Sequence, residues 1–296
     1  MKFDSYHPVI NFIYFTTVIT MSIIFDQPVF LSLSYLCSFI YSISLNGTRS
    51  AVFNVILIPF IVAFALYYAS YNHFGITNIT VNFIGNQITL ESLLYGAALG
   101  IKIASVLMWF SCVHKIISSD KIIYLFGRVL PKLSLLLSLA LRLMPRIKTY
   151  AKAVNTAQSC IGRGLKQGKL LQRMRSLIRL LSILVTWTME HIVAISDSMR
   201  SRGYSLKGRT AFSIYRFDNR DRSFVITLFF YSTVVLAGVL LDQTNILYDP
   251  EIIMNKMTPL SLLFYLAYVS LCILPLALQL LGEYKADMLR AEIEIQ

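Results

Sequence analysis

Charge of either sign is scarce in this chain, and acidic charge is scarcest. Only 14% of the 296 residues are charged, with 15 Asp+Glu against 27 Lys+Arg. Soluble domains carry about 25% charged residues. The deficit, with 56% hydrophobic residues and a mean hydropathy of +0.64, excludes an ordinary soluble domain and points to a bilayer. The four cysteines, Cys37, Cys112, Cys160 and Cys272, form no CxxC or Cys/His spacing, so neither a disulfide framework nor a zinc site is expected. The histidines, His7, His73, His114 and His191, are equally dispersed. No metal, cofactor or catalytic site is therefore expected. His114 and His191 read as hydrogen-bonded residues near a membrane boundary rather than as ligands. No glycine-rich GxxxxGK loop followed by Ser or Thr occurs, so ATP hydrolysis, if needed, must come from a partner. No small-residue cleavage site follows the first apolar run, which reads as a retained span rather than a signal peptide.

What is present is a series of apolar runs. A spanning helix needs about 20 mostly apolar residues. Six segments fit or nearly fit: 9–25, 28–45, 51–70, 90–113, 223–241 and 260–281. The first two are short and need thinning or tilt adjustments of the bilayer. The region 114–222 holds 21 of the Lys+Arg against five acids (Asp120, Glu190, Asp197, Asp218 and Asp221), while the stretch 71–89 has no lysine or arginine. The positive-inside rule then places both termini and 114–222 on the cytoplasmic side. The predicted fold is an all-α integral membrane protein with about six membrane-spanning helices plus long amphipathic cytoplasmic helices. Its predicted parts are a four-helix membrane portion at 1–113, a cytoplasmic region at 114–222, and C-terminal membrane helices with a short tail at 223–296.

The basic region contains two further apolar stretches, Leu133–Met144 and Leu177–Ile195. The first is too short to span. The second carries Arg179, Glu190 and His191, and crossing there would invert the helices that follow. Both are read as parts of long helices, partly buried at the cytoplasmic face. Leu143, Ile147, Tyr150, Val154, Ala157 and Ile161 recur at helical spacing, with Arg142, Arg146, Lys148, Lys152 and Thr156 on the other side. Pro145 is expected to kink or start a helical segment. A second stripe runs Met174, Leu177, Leu181, Leu184, Thr188, Ile192, Ile195, Met199. The stripes stop at Gly164 and Gly203, each a natural left-handed helix end. Each end carries a small residue, an arginine and a glycine: Gly162-Arg163-Gly164 and Ser201-Arg202-Gly203. One such end is ordinary, because a cation in a last turn complements the helix dipole by about 0.3–1 kcal/mol. Two in one region indicate a part that docks on two similar partners, using a fork that lysine cannot copy.

On these residues the chain resembles the transmembrane T component of energy-coupling factor (ECF) transporters, prokaryotic importers of vitamins or of nickel and cobalt. The resemblance extends over nearly the whole length. His7-Pro8 with the paired short spans is similar to the family's opening. Leu139–Pro145, with Arg142, resembles its first coupling segment. Ala157-Gln158 before Arg163, and Met199–Tyr204 around Arg202, are similar to its two Ala-Arg-Gly ends. The resemblance implies that Arg163 and Arg202 insert into grooves on two ATP-binding-cassette ATPases, with Arg142, Pro145 and Gln158 supporting the helices. It further implies that a separate substrate-binding membrane subunit packs alongside, in a multi-pass plasma-membrane assembly. The chain itself would be non-catalytic. Where the family has alanine before each arginine, this chain has Gly162 and Ser201. Gly162 lowers helix propensity by up to ~1 kcal/mol, so the first end is expected to fray more.

Two features lie apart from the arginine ends. Lys102 sits inside the fourth apolar run and is costly there unless paired; Glu91 is too far along the helix to reach it. Gly96 and Gly100 form a small-xxx-small pair suited to close helix packing within the chain. The competing class is an integral-membrane enzyme of lipid or isoprenoid metabolism, which needs clustered acids or histidines for metal and phosphate chemistry; the five acids of 114–222 offer a single DxxD spacing, Asp218 and Asp221, and the region holds no HxxxH pair. A third reading, an anionic-lipid or nucleic-acid-binding membrane protein, rests on the excess of Lys+Arg in 114–222 and carries little information, because basic charge beside a membrane follows from topology alone; no nucleic-acid partner is expected.

Overall fold

Inside a bilayer the backbone has no water to bond, so a chain this apolar satisfies its N–H and C=O groups within helices. The computed structural model describes residues 3–72, 74–81, 87–167, 169–204, 206, 215–249, 252–254 and 258–295. His73, Glu251 and Lys256 lie outside the described residues. Among these residues are nine α-helices and two very short antiparallel ladders (78–81 with 87–89, and 246–247 with 253–254). The chain is an all-α membrane protein.

It divides into two units. The first joins residues 1–118 to 215–296. It contains α1 (Pro8–Ile24), α2 (Pro28–Asn46), α3 (Thr48–Tyr71), α4 (Leu90–Ile116), α8 (Asn219–Leu240) and α9 (Pro259–Ile295). The second, 119–214, contains α5 (Ser119–Val129), α6 (Pro131–Cys160) and α7 (Leu170–Ser201).

Local chemistry sets the helix starts. Pro8 and Pro28 open α1 and α2 at positions whose N–H would be unbonded anyway. His7 caps α1 by accepting from the Val9 N–H at 3.3 Å, and its own N–H donates to Asp221 Oδ1. Asp221 also closes a capping box with Asp218 at the start of α8. His7-Pro8 therefore fastens the start of the chain to a helix more than 200 residues later. Gly47, at φ +65°, makes the tight turn from α2 to α3.

Among the described residues, six helices are long and apolar enough to cross a membrane: α2, α3, α4, α7, α8 and α9. The number matches the sequence reading, but one member differs. At 17 residues, α1 rises only about 26 Å, short of a ~30 Å hydrocarbon core. The 32-residue α7 meets the criterion by length and composition. Many large apolar side chains of α3, such as Val52, Ile56, Val62 and Leu66, are exposed, as expected for a lipid-facing helix.

The core of the first unit gathers around Trp109 of α4, which is fully buried with Tyr14, Tyr41 and Tyr268. A polar thread runs through it: Trp109 Nε1 donates to Ser34 Oγ at 3.3 Å, Ser34 bonds Ser22 at 2.8 Å, and Ser22 bonds the Tyr268 hydroxyl at 3.3 Å. Each member is satisfied by another, so the polar atoms incur no desolvation penalty and fix helix register. Gly96 and Gly100 of α4 pack against α3, where an added Cβ would stand 3.0 Å from Ala65 O and 3.2 Å from Ile61. That is close packing within the chain, as the small-xxx-small pair implied.

Lys102 finds its counter-charge across the fold. Its Nζ pairs with Asp26 in the α1–α2 turn, and the Tyr248 hydroxyl donates to the Asp26 carbonyl at 3.1 Å. Lys102 lies about 18 Å along α4 from its start. The α1–α2 turn that reaches it therefore stops well short of the 71–90 end of α3 and α4, as two short helices require. Replacing Lys102 with Met should lower stability by about 1–2 kcal/mol, because Asp26 is half exposed and partly solvated on its own. Lys102→Met with Asp26→Asn should cost less than the sum of the single changes. A denaturation double-mutant cycle in detergent checks this, and strict additivity would refute the pair's contribution.

Candidate functional site

Both arginine ends belong to the second unit. Its two long helices run antiparallel: Tyr150 of α6 stacks on Trp187 of α7 (centroids 4.3 Å, planes 14° apart), and Trp187 stacks in turn on His191 (5.1 Å, 7°). Arg146 Nη1 donates to His191 Nε2 at 3.0 Å. Arginine has no acceptor, so this imidazole nitrogen must accept. His191 is thus a hydrogen-bonded residue, as its boundary position implied. Position 146 meets 191 while 150 meets 187, so the C-terminal end of α6 lies toward the start of α7. The C-terminal end of α7 lies beside the first half of α6. Arg163 and Arg202 therefore stand at opposite ends of the pair, separated by roughly the length of α7, about 48 Å.

The half-buried side of α6 includes Leu143, Ile147, Tyr150 and Val154, four of the six stripe residues read from sequence; Ala157, inside the helix, is exposed. Ile161 falls off it, 68% exposed, because it lies past the helix end. On α7 the stripe shifts. Leu180 and Leu184 are buried and Trp187, His191, Ile195 and Met199 half-buried, whereas Met174, Leu177, Leu181 and Ile192 are exposed. Between Leu177 and Val193 apolar residues spread over most of the helix circumference, so the pattern names no unique face and packing against α6 chooses one. Pro145 lies inside α6 and does not begin it.

Both helices end in the same hydrogen-bond motif. At the end of α6 the Gly162 N–H donates to Ser159 O (3.1 Å) and the Arg163 N–H to Gln158 O (2.9 Å), with Gly162 at φ +75°. At the end of α7 the Gly203 N–H donates to Arg200 O (3.0 Å) and the Tyr204 N–H to Met199 O (3.2 Å), with Gly203 at φ +77°. Each is a Schellman end. The two sequence phrases are nevertheless out of step on it. Gly162, not Gly164, is the left-handed residue of the first end. Arg163 follows its left-handed glycine, whereas Arg202 precedes one. Two expectations are corrected. Gly162 does not weaken α6, because it lies just beyond the helix where glycine is favoured. Gly164 serves close approach instead: a Cβ there would stand 2.8 Å from Ser159 Cβ.

Sequence reasoning missed the side chains that hold the first end. Asn155 Oδ1 accepts from the Leu165 N–H (3.2 Å), Gln167 Oε1 from the Gly164 N–H (3.1 Å), and Gln167 Nε2 donates to Ser159 O (3.3 Å). Lone amides carry no spacing signature, so nothing in the sequence marked them. They fasten the loop so that Arg163 is held outward; Arg163, Arg202 and Ser201 are exposed. Gln158, named for its place before Arg163, contributes the carbonyl that receives the Arg163 N–H. Arg142 lines a groove of about 480 Å³ between α6 and α7, together with Arg146, His191 and Arg202.

Three comparative facts bear on this geometry. Residues 6–212 match the family model of CbiQ, the cobalt transport protein. The chain is 26% identical over 107 residues to the energy-coupling factor transporter transmembrane protein EcfT of Bacillus selenitireducens. That alignment takes in 36% of this chain and 40% of the relative, so the chain matches well under two thirds of its length.

Gly164→Ala should disturb the first end more than Gly162→Ala, since it adds a steric clash, whereas Gly162→Ala meets only left-handed backbone strain of about 1–2 kcal/mol. Hydrogen exchange of the amides at 162–165 checks the order. Equal protection in both variants would show that the Ser159 contact does not shape the loop.

Proposed function

The chain belongs to the CbiQ family of cobalt transport proteins, and on that premise we propose that it is the transmembrane coupling subunit of an ECF-type importer. In this reading two partner ATPases, identical or related, each receive one arginine end. ATP binding draws the ATPases together. The ends follow, and α6 and α7 move about the Tyr150–Trp187–His191 stack. A separate membrane subunit that carries the substrate, a vitamin or a transition-metal ion, packs on the exposed apolar side of these helices and is rocked between its two orientations. The first unit anchors the assembly in the plasma membrane, with both termini and residues 119–214 on the cytoplasmic side by the positive-inside rule. The chain contributes no catalytic group. The movement is driven by contacts that differ between two ATPase states, not by distance alone.

The observation that carries this reading is the antiparallel pair with an exposed arginine at each far end. A single partner groove cannot receive two arginines about 48 Å apart; two similar partners side by side can. The register difference between the ends adds a consequence. Arg163 and Arg202 leave their helices at different offsets, so the two docking geometries are not interchangeable.

Mild-detergent purification from native cells tests the proposal. Wild type should bring down two ATP-binding-cassette ATPases and a small membrane protein. Arg163→Glu with Arg202→Glu should lose the ATPases and at least tenfold of coupled uptake, the scale of one lost charge-assisted contact. Unchanged uptake in the double variant would sink the assignment.

A further inference from the structure

The α6–α7 groove has features the docking role of the helix ends does not use. Arg142 and Arg146 lie one turn apart on the α7-facing side of α6, and Arg202 closes the far end. Ser138 and Ser198 add hydroxyls, and among the described residues no carboxylate lines it. His191 is occupied as an acceptor for one Arg146 nitrogen, which holds that guanidinium at the groove. Cations gathered without a counter-charge repel one another, and an anion between them relieves this. Guanidinium forks bind phosphate oxygens bidentately.

The rest of the lining states what carries the phosphate. Between the cations the groove is apolar, with Leu139, Leu143, Ile195 and Met199. Beside it Leu136, Met144, Met189 and Val193 are each 60% exposed or more. Such a surface seeks hydrocarbon, while the arginines keep their heads at a polar boundary. One aspartate or glutamate side chain would leave most of a groove of about 480 Å³ unfilled. A phosphodiester with its glycerol and the first acyl carbons fits this division of charge and grease. The shared chemistry is a phosphate anion; the apolar floor selects the lipid over the free ion.

We propose that the α6–α7 groove is a binding site for the phosphate of an anionic phospholipid, with Arg142 and Arg146 as its ligands and the leucine-rich floor taking the adjoining glycerol and acyl segment. The site would seat the helix pair against the anionic membrane face and is independent of the ATPase reading.

The test is native mass spectrometry of the full chain in mild detergent with added phosphatidylglycerol, phosphatidylcholine or inorganic phosphate. Wild type should retain phosphatidylglycerol and not phosphatidylcholine or phosphate. Arg142→Ala with Arg146→Ala should weaken retention about thirtyfold, as expected for two arginines at an anionic surface. Should that variant not fold, thermal unfolding of wild type decides: the midpoint must rise with phosphatidylglycerol and not with phosphatidylcholine. Equal retention of both lipids, tight binding of phosphate alone, or an equal midpoint in both lipids would overturn the proposal. So would a folded double variant that keeps phosphatidylglycerol but loses co-purifying ATPases, which would make the groove a protein interface.

Discussion

One stack of rings decides the geometry of the second unit. Tyr150, Trp187 and His191 lie face on face, and Arg146 closes the series with a hydrogen bond. Offset aromatic stacking and a charged donor on a neutral imidazole hold two long helices in a single register. From that register the rest follows. It sets which residues of α7 face α6, sends the two arginine ends in opposite directions, and places Arg142 and Arg146 along a groove where both stay exposed. A different rotation of α7 would bury Leu177 and Leu181 and carry Arg202 off the groove.

The helix ends show how one short phrase can serve two structural positions. Both ends close with the same pair of backbone bonds, because a helix must satisfy its last carbonyls and a left-handed glycine does so at low cost. Where that glycine falls is a local competition. At the end of α6 Gly162 comes first and takes the role, which leaves Gly164 to fit under Ser159. At the end of α7 Ser201 and Arg202 precede the first glycine, so the helix runs further before closing. Sequence equivalence of Arg163 and Arg202 is therefore not structural equivalence.

The first unit rests on a different economy. Its apolar helices would slide freely on one another if apolar contact were all they had. Specific points fix them instead: glycines of α4 against α3, a serine–tyrosine–tryptophan thread in the core, and a cross-fold ion pair between Lys102 and Asp26. Each is a small or polar residue placed among large apolar ones, and each earns its position through a partner distant in sequence.

Composition and periodicity were enough for the membrane class, the helical architecture, five of the six long apolar helices and the small-xxx-small contact, because these depend on residue type and on spacing along one helix. The left-handed end at Gly203 was legible for the same reason. The choice of left-handed glycine at the first end, the inward face of α7, the partner of Lys102 and the amides that hold the Arg163 loop were not. Each depends on which distant segment arrives beside a residue, and in a run such as Leu177–Val193 apolar residues spread too widely around the helix to name one inward face. The residue types allowed several faces and several partners, and packing selected one, because only the folded chain brings Tyr150 to Trp187 and Asp26 to Lys102.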